Sequence, residues 1–248
     1  MTLEFACYAI ALTAAAWAVW VRRSTWRNPW ERSTTYAIIQ LALALVLIAP
    51  ASVPVLGWVD WAAWKLTGHW HIDDYVGNML ALGALVSSNL AGLLRMPSMR
   101  QRIVPLLWHP LVVGTAVLYF LFWHSVVTHN PGNDLFQLGH DGWLATYFAV
   151  LWALLIYYGG LNAWIALAHL RGDPRAKPVA LTWLVCVGLG AAAMAAWLVP
   201  WLGWTAWYDW GRLIMCLAVA VFAVASARSW QRKLRPYRDL IKVTGAHI

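Results

Sequence analysis

Two short runs of this sequence bring imidazole and carboxylate groups close enough to do chemistry: His69-Trp-His71-Ile-Asp73-Asp74 and His140-Asp141. Imidazole nitrogens and carboxylate oxygens are ligands for divalent transition metals. A carboxylate neighbour also raises the pKa of an imidazole, which would suit a sensor of mild acid. In extended backbone an HxH pair turns both rings to one side. His69, His71, Asp73, Asp74, His140 and Asp141 are therefore the candidate metal ligands, with His124 and His129 nearby. Their spacing matches no zinc motif, and His124 and His129, five residues apart, do not share a helix face. The competing reading makes all of them polar members of an interfacial tryptophan belt.

Other chemistry is not visible in the chain. HExxH, GxSxG and phosphate-cradling loops are missing, so no catalytic residue is assigned. Cys7, Cys186 and Cys216 are isolated, without a CxxC, and read as small packing residues.

The elements that must position the histidines follow from hydropathy. With 62% hydrophobic and 11% charged residues, the 248-residue chain lies far from soluble composition. Apolar runs at about 5–21, 35–56, 75–94, 105–124, 142–169, 179–203 and 211–227 are long enough to cross a bilayer. The last is the shortest and needs its flanking arginines, Arg212 and Arg228, to snorkel. The expected fold is an all-α, polytopic membrane bundle of seven transmembrane helices, followed by a basic tail over 228–248.

Sixteen of the eighteen Lys and Arg fall in alternate gaps, at 22–34, 95–104, 170–178 and 228–248. Short basic loops remain in the cytoplasm. The N-terminus is therefore expected outside and the C-terminus inside, in the plasma membrane, with the first span retained as a helix rather than cleaved as a signal. The inner segments then carry thirteen net positive charges and the outer ones five net negative. The basic face is expected to meet anionic lipid, not nucleic acid.

Local patterns refine the picture. Segment 22–34, with Trp26 and Trp30 among its charges, is expected to lie on the headgroups. Pro50 and Pro54 predict that the second helix kinks or ends near Ala49. Trp58, Trp61 and Trp64, three apart, predict a short amphipathic helix in the outer interface, and Trp201, Trp204, Trp207 and Trp210 repeat the spacing. Small residues over 188–196 are expected to let helices approach closely. Fixed charges are missing from the span interiors, which argues against a Schiff-base lysine and against ion-coupled transport. Asn78, Asn89 and Asn162 are expected to bond across helices.

Two resemblances add to this. The segment Gly203-Trp-Thr-Ala-Trp-Tyr-Asp-Trp-Gly211 resembles the tryptophan-rich signature of haem-handling membrane proteins of cytochrome c maturation, which implies haem ligated by external histidines. Here the segment precedes the last span and the histidines do not flank it symmetrically, a departure that argues against haem. Trp30-Glu31-Arg32, the prolines ending span two and Leu66-Thr67-Gly68-His69-Trp70-His71-Ile72-Asp73-Asp74 resemble small seven-span proteins of unknown function from high-GC Gram-positive bacteria and their phages. That resemblance implies a plasma-membrane location and no activity. The reading is a non-enzymatic bundle that presents a Trp/His/Asp-rich external face to a ligand or to a membrane or external protein partner. A metal- or haem-handling protein and a facilitator for an uncharged solute stay open as alternatives.

Overall fold

The computed structural model describes residues 2–48, 53–131, 135, 141–172, 176–198 and 207–244; no strand occurs among them. Eight α-helices follow one another: α1 (Thr2–Val21), α2 (Pro29–Ile48), α3 (Val53–Thr67), α4 (Ile72–Leu93), α5 (His109–His124), α6 (Gly142–Gly172), α7 (Lys177–Leu198) and α8 (Trp207–Thr244). All but α3 carry a segment long and apolar enough to cross a membrane, from Leu3–Val21 through Asp209–Leu234, α5 doing so together with the π-helical turn Val104–Trp108 that precedes it. At 15 residues, α3 is about 22 Å long, too short for roughly 30 Å of hydrocarbon. It is the tryptophan helix expected over 58–64, with Trp58 and Trp61 exposed and Trp64 stacked on Trp70 at 5.3 Å. Of the second tryptophan series, Trp201 and Trp204 lie outside the described residues, whereas Trp207 and Trp210 begin α8 and are exposed.

The outward surfaces are apolar. Val112, Val113, Ile156 and Leu217 are more than half exposed, an arrangement that water disfavours and hydrocarbon accepts. The chain is an integral, multi-pass membrane bundle by this criterion as well as by helix length. α1, α2, α4, α6, α7 and α8 pack each on the next, and α8 returns to α1, closing a ring. α5 stands outside it against α6. Leu82, Tyr147, Phe148, Tyr158 and Ile165 fill the fully buried core between α4 and α6.

Polar cross-links run between the same two helices. Asn78 donates to the Tyr147 hydroxyl at 3.2 Å, Asn89 to the Tyr158 carbonyl at 3.0 Å and Asn162 to Ser88 at 2.9 Å. All three asparagines therefore pack α4 against α6, as their spacing suggested. The small residues of 188–196 behave differently from expectation. Ala193 and Ala196 are buried, but a side chain at Gly188 or Gly190 would meet nothing within 4 Å. One close glycine contact is at Gly92, where an added Cβ would lie 2.5 Å from Ile165 Cγ2 and 3.0 Å from the Trp183 ring. It seats the end of α4 against α6 and α7.

Two expected boundaries move. Segment 22–34 is helical rather than a loop: a 3-10 turn over Arg23–Arg27, with Arg23, Ser24, Trp26 and Arg27 exposed, leads directly into α2, whose first residue is Pro29. Proline is favoured there because the first helical N–H has no partner to lose. Glu31 therefore lies in the first turn of α2 and is buried. The last helix does not stop at Arg228 but continues to Thr244, so its membrane segment reaches 26 residues. Arg228, Arg232 and Lys233 consequently stand on a helix packed against α1, α2 and α7.

Candidate functional site

The antiparallel run of helices gathers the chain's polar residues at two ends. At the tryptophan-rich end the α3–α4 connection crosses the turn that follows α5. Gly68 and His71 have φ of 79° and 63°, the left-handed region that glycine tolerates and histidine visits at a cost. The His69-Trp-His71 segment is therefore not extended, and the expected one-sided HxH pair does not form. Each ring instead ties a different part of the turn.

His69 is buried and its Nδ1 lies 2.9 Å from Thr128 Oγ1. The Thr128 hydroxyl proton is directed to the Ser125 carbonyl at 2.8 Å, so His69 Nδ1 is the donor in that pair. The Trp70 amide donates to the Thr128 carbonyl at 2.7 Å, and His129 Nδ1 donates to the Gly68 carbonyl at 2.9 Å. His69 and His129 face each other with centroids 4.3 Å apart, and Trp123 covers His69 at 4.6 Å. Burial lowers the His69 pKa below its ordinary value, and the neighbouring His129 lowers it further.

His71, also buried, donates from Nε2 to the Asn130 carbonyl at 3.2 Å, and its Nδ1 stands 3.7 Å from Asp74 Oδ2. That separation is too long for a hydrogen bond. Asp74 also accepts from the Leu135 amide at 3.1 Å, while Asp73 accepts from the Asp74 amide at 2.8 Å and so turns back on its own helix start. Asp141 lies apart from these groups in its bonding. It accepts from Leu144 N at 2.7 Å, Val126 N at 2.8 Å and Ser125 Oγ at 3.0 Å, which fastens the start of α6 to the end of α5. Burial raises the Asp141 pKa, but these donors outweigh it and leave the value depressed. His140 lies outside the described residues. Among the described residues no three His, Cys, Asp or Glu groups come together as a metal cage.

The opposite end holds what the sequence reading passed over. Arg22, only 2% exposed, donates from Nε to Thr35 Oγ1 at 3.1 Å and from Nη1 to the Ser226 carbonyl at 3.1 Å. Its Nη2 serves both the Glu31 carbonyl at 3.1 Å and Glu31 Oε2 at 3.0 Å. Glu31, 8% exposed, also receives Arg95 at 3.2 Å and Lys233 at 2.6 Å on Oε1. One carboxylate thus joins the end of α1, the start of α2, the end of α4 and α8. Burial pulls the Arg22 guanidinium below its ordinary pKa, and Glu31 opposes that pull.

Beside this junction opens a cavity of about 960 Å³, to which all six ring helices or their immediate extensions contribute. Arg22, Arg95, Arg228, Arg232 and Lys233 line it against one carboxylate among the described residues, Glu31. Apolar wall comes from Ala166 on α6, Val179 and Trp183 on α7, and the stretch of α8 between Ala220 and Ala225, with Thr34, His169, Thr182, Ser226 and Ser229 set among them. The volume sits within the range of ordinary ligand sites, roughly 300–1,000 Å³. The signal in the sequence was Glu31 standing among so many Lys and Arg, but nothing in it said which of them would converge. In comparisons with known proteins, no family model, curated protein or solved structure matches the chain.

Proposed function

We propose that the chain is a non-enzymatic plasma-membrane protein that binds a ligand in the cavity at its arginine-rich end. The observation that carries this reading is the cavity itself: a space of ligand size bordered by six helices, apolar along α8 toward Ala220 and cationic toward Lys233. Arg228 and Arg232 have no carboxylate partner among the described residues, whereas Arg22, Arg95 and Lys233 share Glu31. Arg228 and Arg232 are exposed and open to water, and the net positive lining favours an anion over a neutral ligand. A facilitator for an uncharged solute fits less well, because it would leave that charge excess unused.

In this reading the arginine-rich end faces the cytoplasm and the N-terminus is external, supported by sixteen of eighteen Lys and Arg falling in alternate gaps. The tryptophan-rich end then forms the external face. Exposed Trp58, Trp61 and Leu66 favour it as the surface offered to lipid headgroups or to a partner protein.

The test is occupancy. Ala225 lines the cavity from α8 and Thr182 from α7. Native mass spectrometry of the gently extracted protein is expected to show a bound small molecule, displaced by Ala225→Trp and independently by Thr182→Trp. Adducts that survive both substitutions in folded protein would show that the cavity is not the binding site.

A further inference from the structure

We infer that the ligand of this cavity is an anionic phospholipid, its phosphate at Arg228 and Arg232 and its acyl chain along the apolar wall of α8. This rests on the cavity being a ligand site and goes further, to the ligand's chemistry.

The argument starts from α8. Arg228 and Arg232 are four residues apart, so they stand on one helix face about 6 Å apart along the axis. Both are exposed and repel each other at this spacing, a repulsion that an anion held between them would relieve. Ser229, also in the lining, adds a hydroxyl on the same turn. Guanidinium groups bind phosphate oxygens through paired N–H donors, a geometry that a single lysine cannot supply. Glu31 does not neutralise this pair, since its three cationic contacts are to Arg22, Arg95 and Lys233. A phosphate oxyanion is the chemistry that the mouth would recognise.

The depth decides between a free phosphate and a lipid. Along α8 the lining runs from Ala220 to Arg232, about 18 Å at 1.5 Å per residue. Half of a bilayer core is about 15 Å. The cationic mouth and the apolar floor are therefore separated by the distance that separates a phosphate from the end of its acyl chain in one leaflet. Val221, Phe222, Val224 and Ala225 offer no side-chain hydrogen bond over the inner part of that length, so a small hydrated anion at the arginines would leave that part unfilled. A basic mouth at a cytoplasmic headgroup level also faces the leaflet where anionic lipid is concentrated.

The experiment is a native mass spectrometric titration of the full chain in detergent with phosphatidylglycerol, with phosphatidylcholine of the same acyl chains, and with inorganic phosphate. One saturable phosphatidylglycerol is expected per chain, at least about tenfold tighter than phosphatidylcholine. Arg228→Gln/Arg232→Gln is expected to remove that preference. Arg27→Gln/Arg171→Gln, on exposed arginines of the same end and outside the cavity, is expected to leave it within about twofold. Undiminished phosphatidylglycerol preference in Arg228→Gln/Arg232→Gln would overturn the inference, as would an equal loss in the control pair. Stoichiometric binding of inorganic phosphate that displaces the lipid would overturn the choice of source. If both lipids bind equally and both are expelled by Ala225→Trp, the anion preference fails while the cavity remains a ligand site. Both lipids surviving Ala225→Trp and Thr182→Trp would refute the cavity reading itself.

Discussion

Neutralising Glu31 is the perturbation that most directly probes how the arginine-rich end is held together. In Glu31→Gln the shape is kept and the charge that faces Arg22, Arg95 and Lys233 is removed. The three cations do not suffer equally. Arg95 and Lys233 have side chains 33% and 49% exposed and can turn to water, so their pairs together contribute no more than about 1 kcal/mol. Arg22 has a side chain 3% exposed and cannot leave. Removing one partner of a buried ion pair costs about 3–5 kcal/mol. Arg22 keeps Thr35 Oγ1, the Ser226 carbonyl and the Glu31 carbonyl as acceptors, which places its share near the lower end or just below. The expected loss is about 3 kcal/mol, or about 6–12 °C in Tm on the scale of soluble domains of this size. Denaturation in mixed micelles would measure it, with Arg22→Met and the double variant completing a cycle. The double variant should be less damaged than the sum of the singles by about 2 kcal/mol, because neither charge is then buried alone. A Glu31→Gln change within about 0.5 kcal/mol of the natural chain, or strict additivity, would refute the view of Glu31 as the junction.

Acid should loosen the opposite end: with the His69 pKa lowered by burial and by His129, the unfolded ring takes up a proton first. Stability is then complete above about pH 6.5 and is lost as pH falls from there toward the lowered folded value. Hydrogen exchange at the Trp70 amide, which donates to Thr128, should accelerate over that interval; a pH-independent rate would contradict the assignment. Asn89→Ala should cost within about 1 kcal/mol, since it removes a bond to Tyr158 but also a buried Oδ1 that has no partner, and complete loss of folding would mark a role beyond packing. Reporter fusions after Pro97 and Pro174 should read cytoplasmic and one after Gly132 external, the reverse pattern inverting the assignment of both ends. Calorimetric titration with Zn²⁺ should reveal no micromolar site, because the left-handed turn at His71 parts it from His69 and no group of three ligands assembles among the described residues. Saturable binding lost in both His71→Ala and His140→Ala would restore the metal reading of the outer histidines.

Much of the architecture was legible in the chain because it depends on local properties. Hydropathy over about 20 residues is a property of a window, and it located six of the seven candidate membrane helices, the seventh needing the alternation of loop charges as well. The three-residue spacing of Trp58, Trp61 and Trp64 marked α3, and the polar stripe of Asn78 and Asn89 marked the face of α4 that meets α6. Charges were harder to interpret, because a charged residue looks alike in sequence whether it ends a helix at the headgroups or continues one. Arg228 was read as the end of a span, yet the helix runs on through it, since its neighbours on α1, α2 and α7 give that length of α8 something to pack against. Glu31 was read as part of a surface loop, yet Pro29 starts a helix and sinks it between cations 9, 64 and 202 residues away. His69 and His71 were read as a one-sided pair if their backbone were extended, and the left-handed turn at His71 sends the two rings to separate partners on the turn after α5. Composition, periodicity and the alternation of loop charges determined that this chain crosses a membrane seven times. Tertiary structure alone decided where its charges meet, because that depends on which helix ends the closed ring brings side by side.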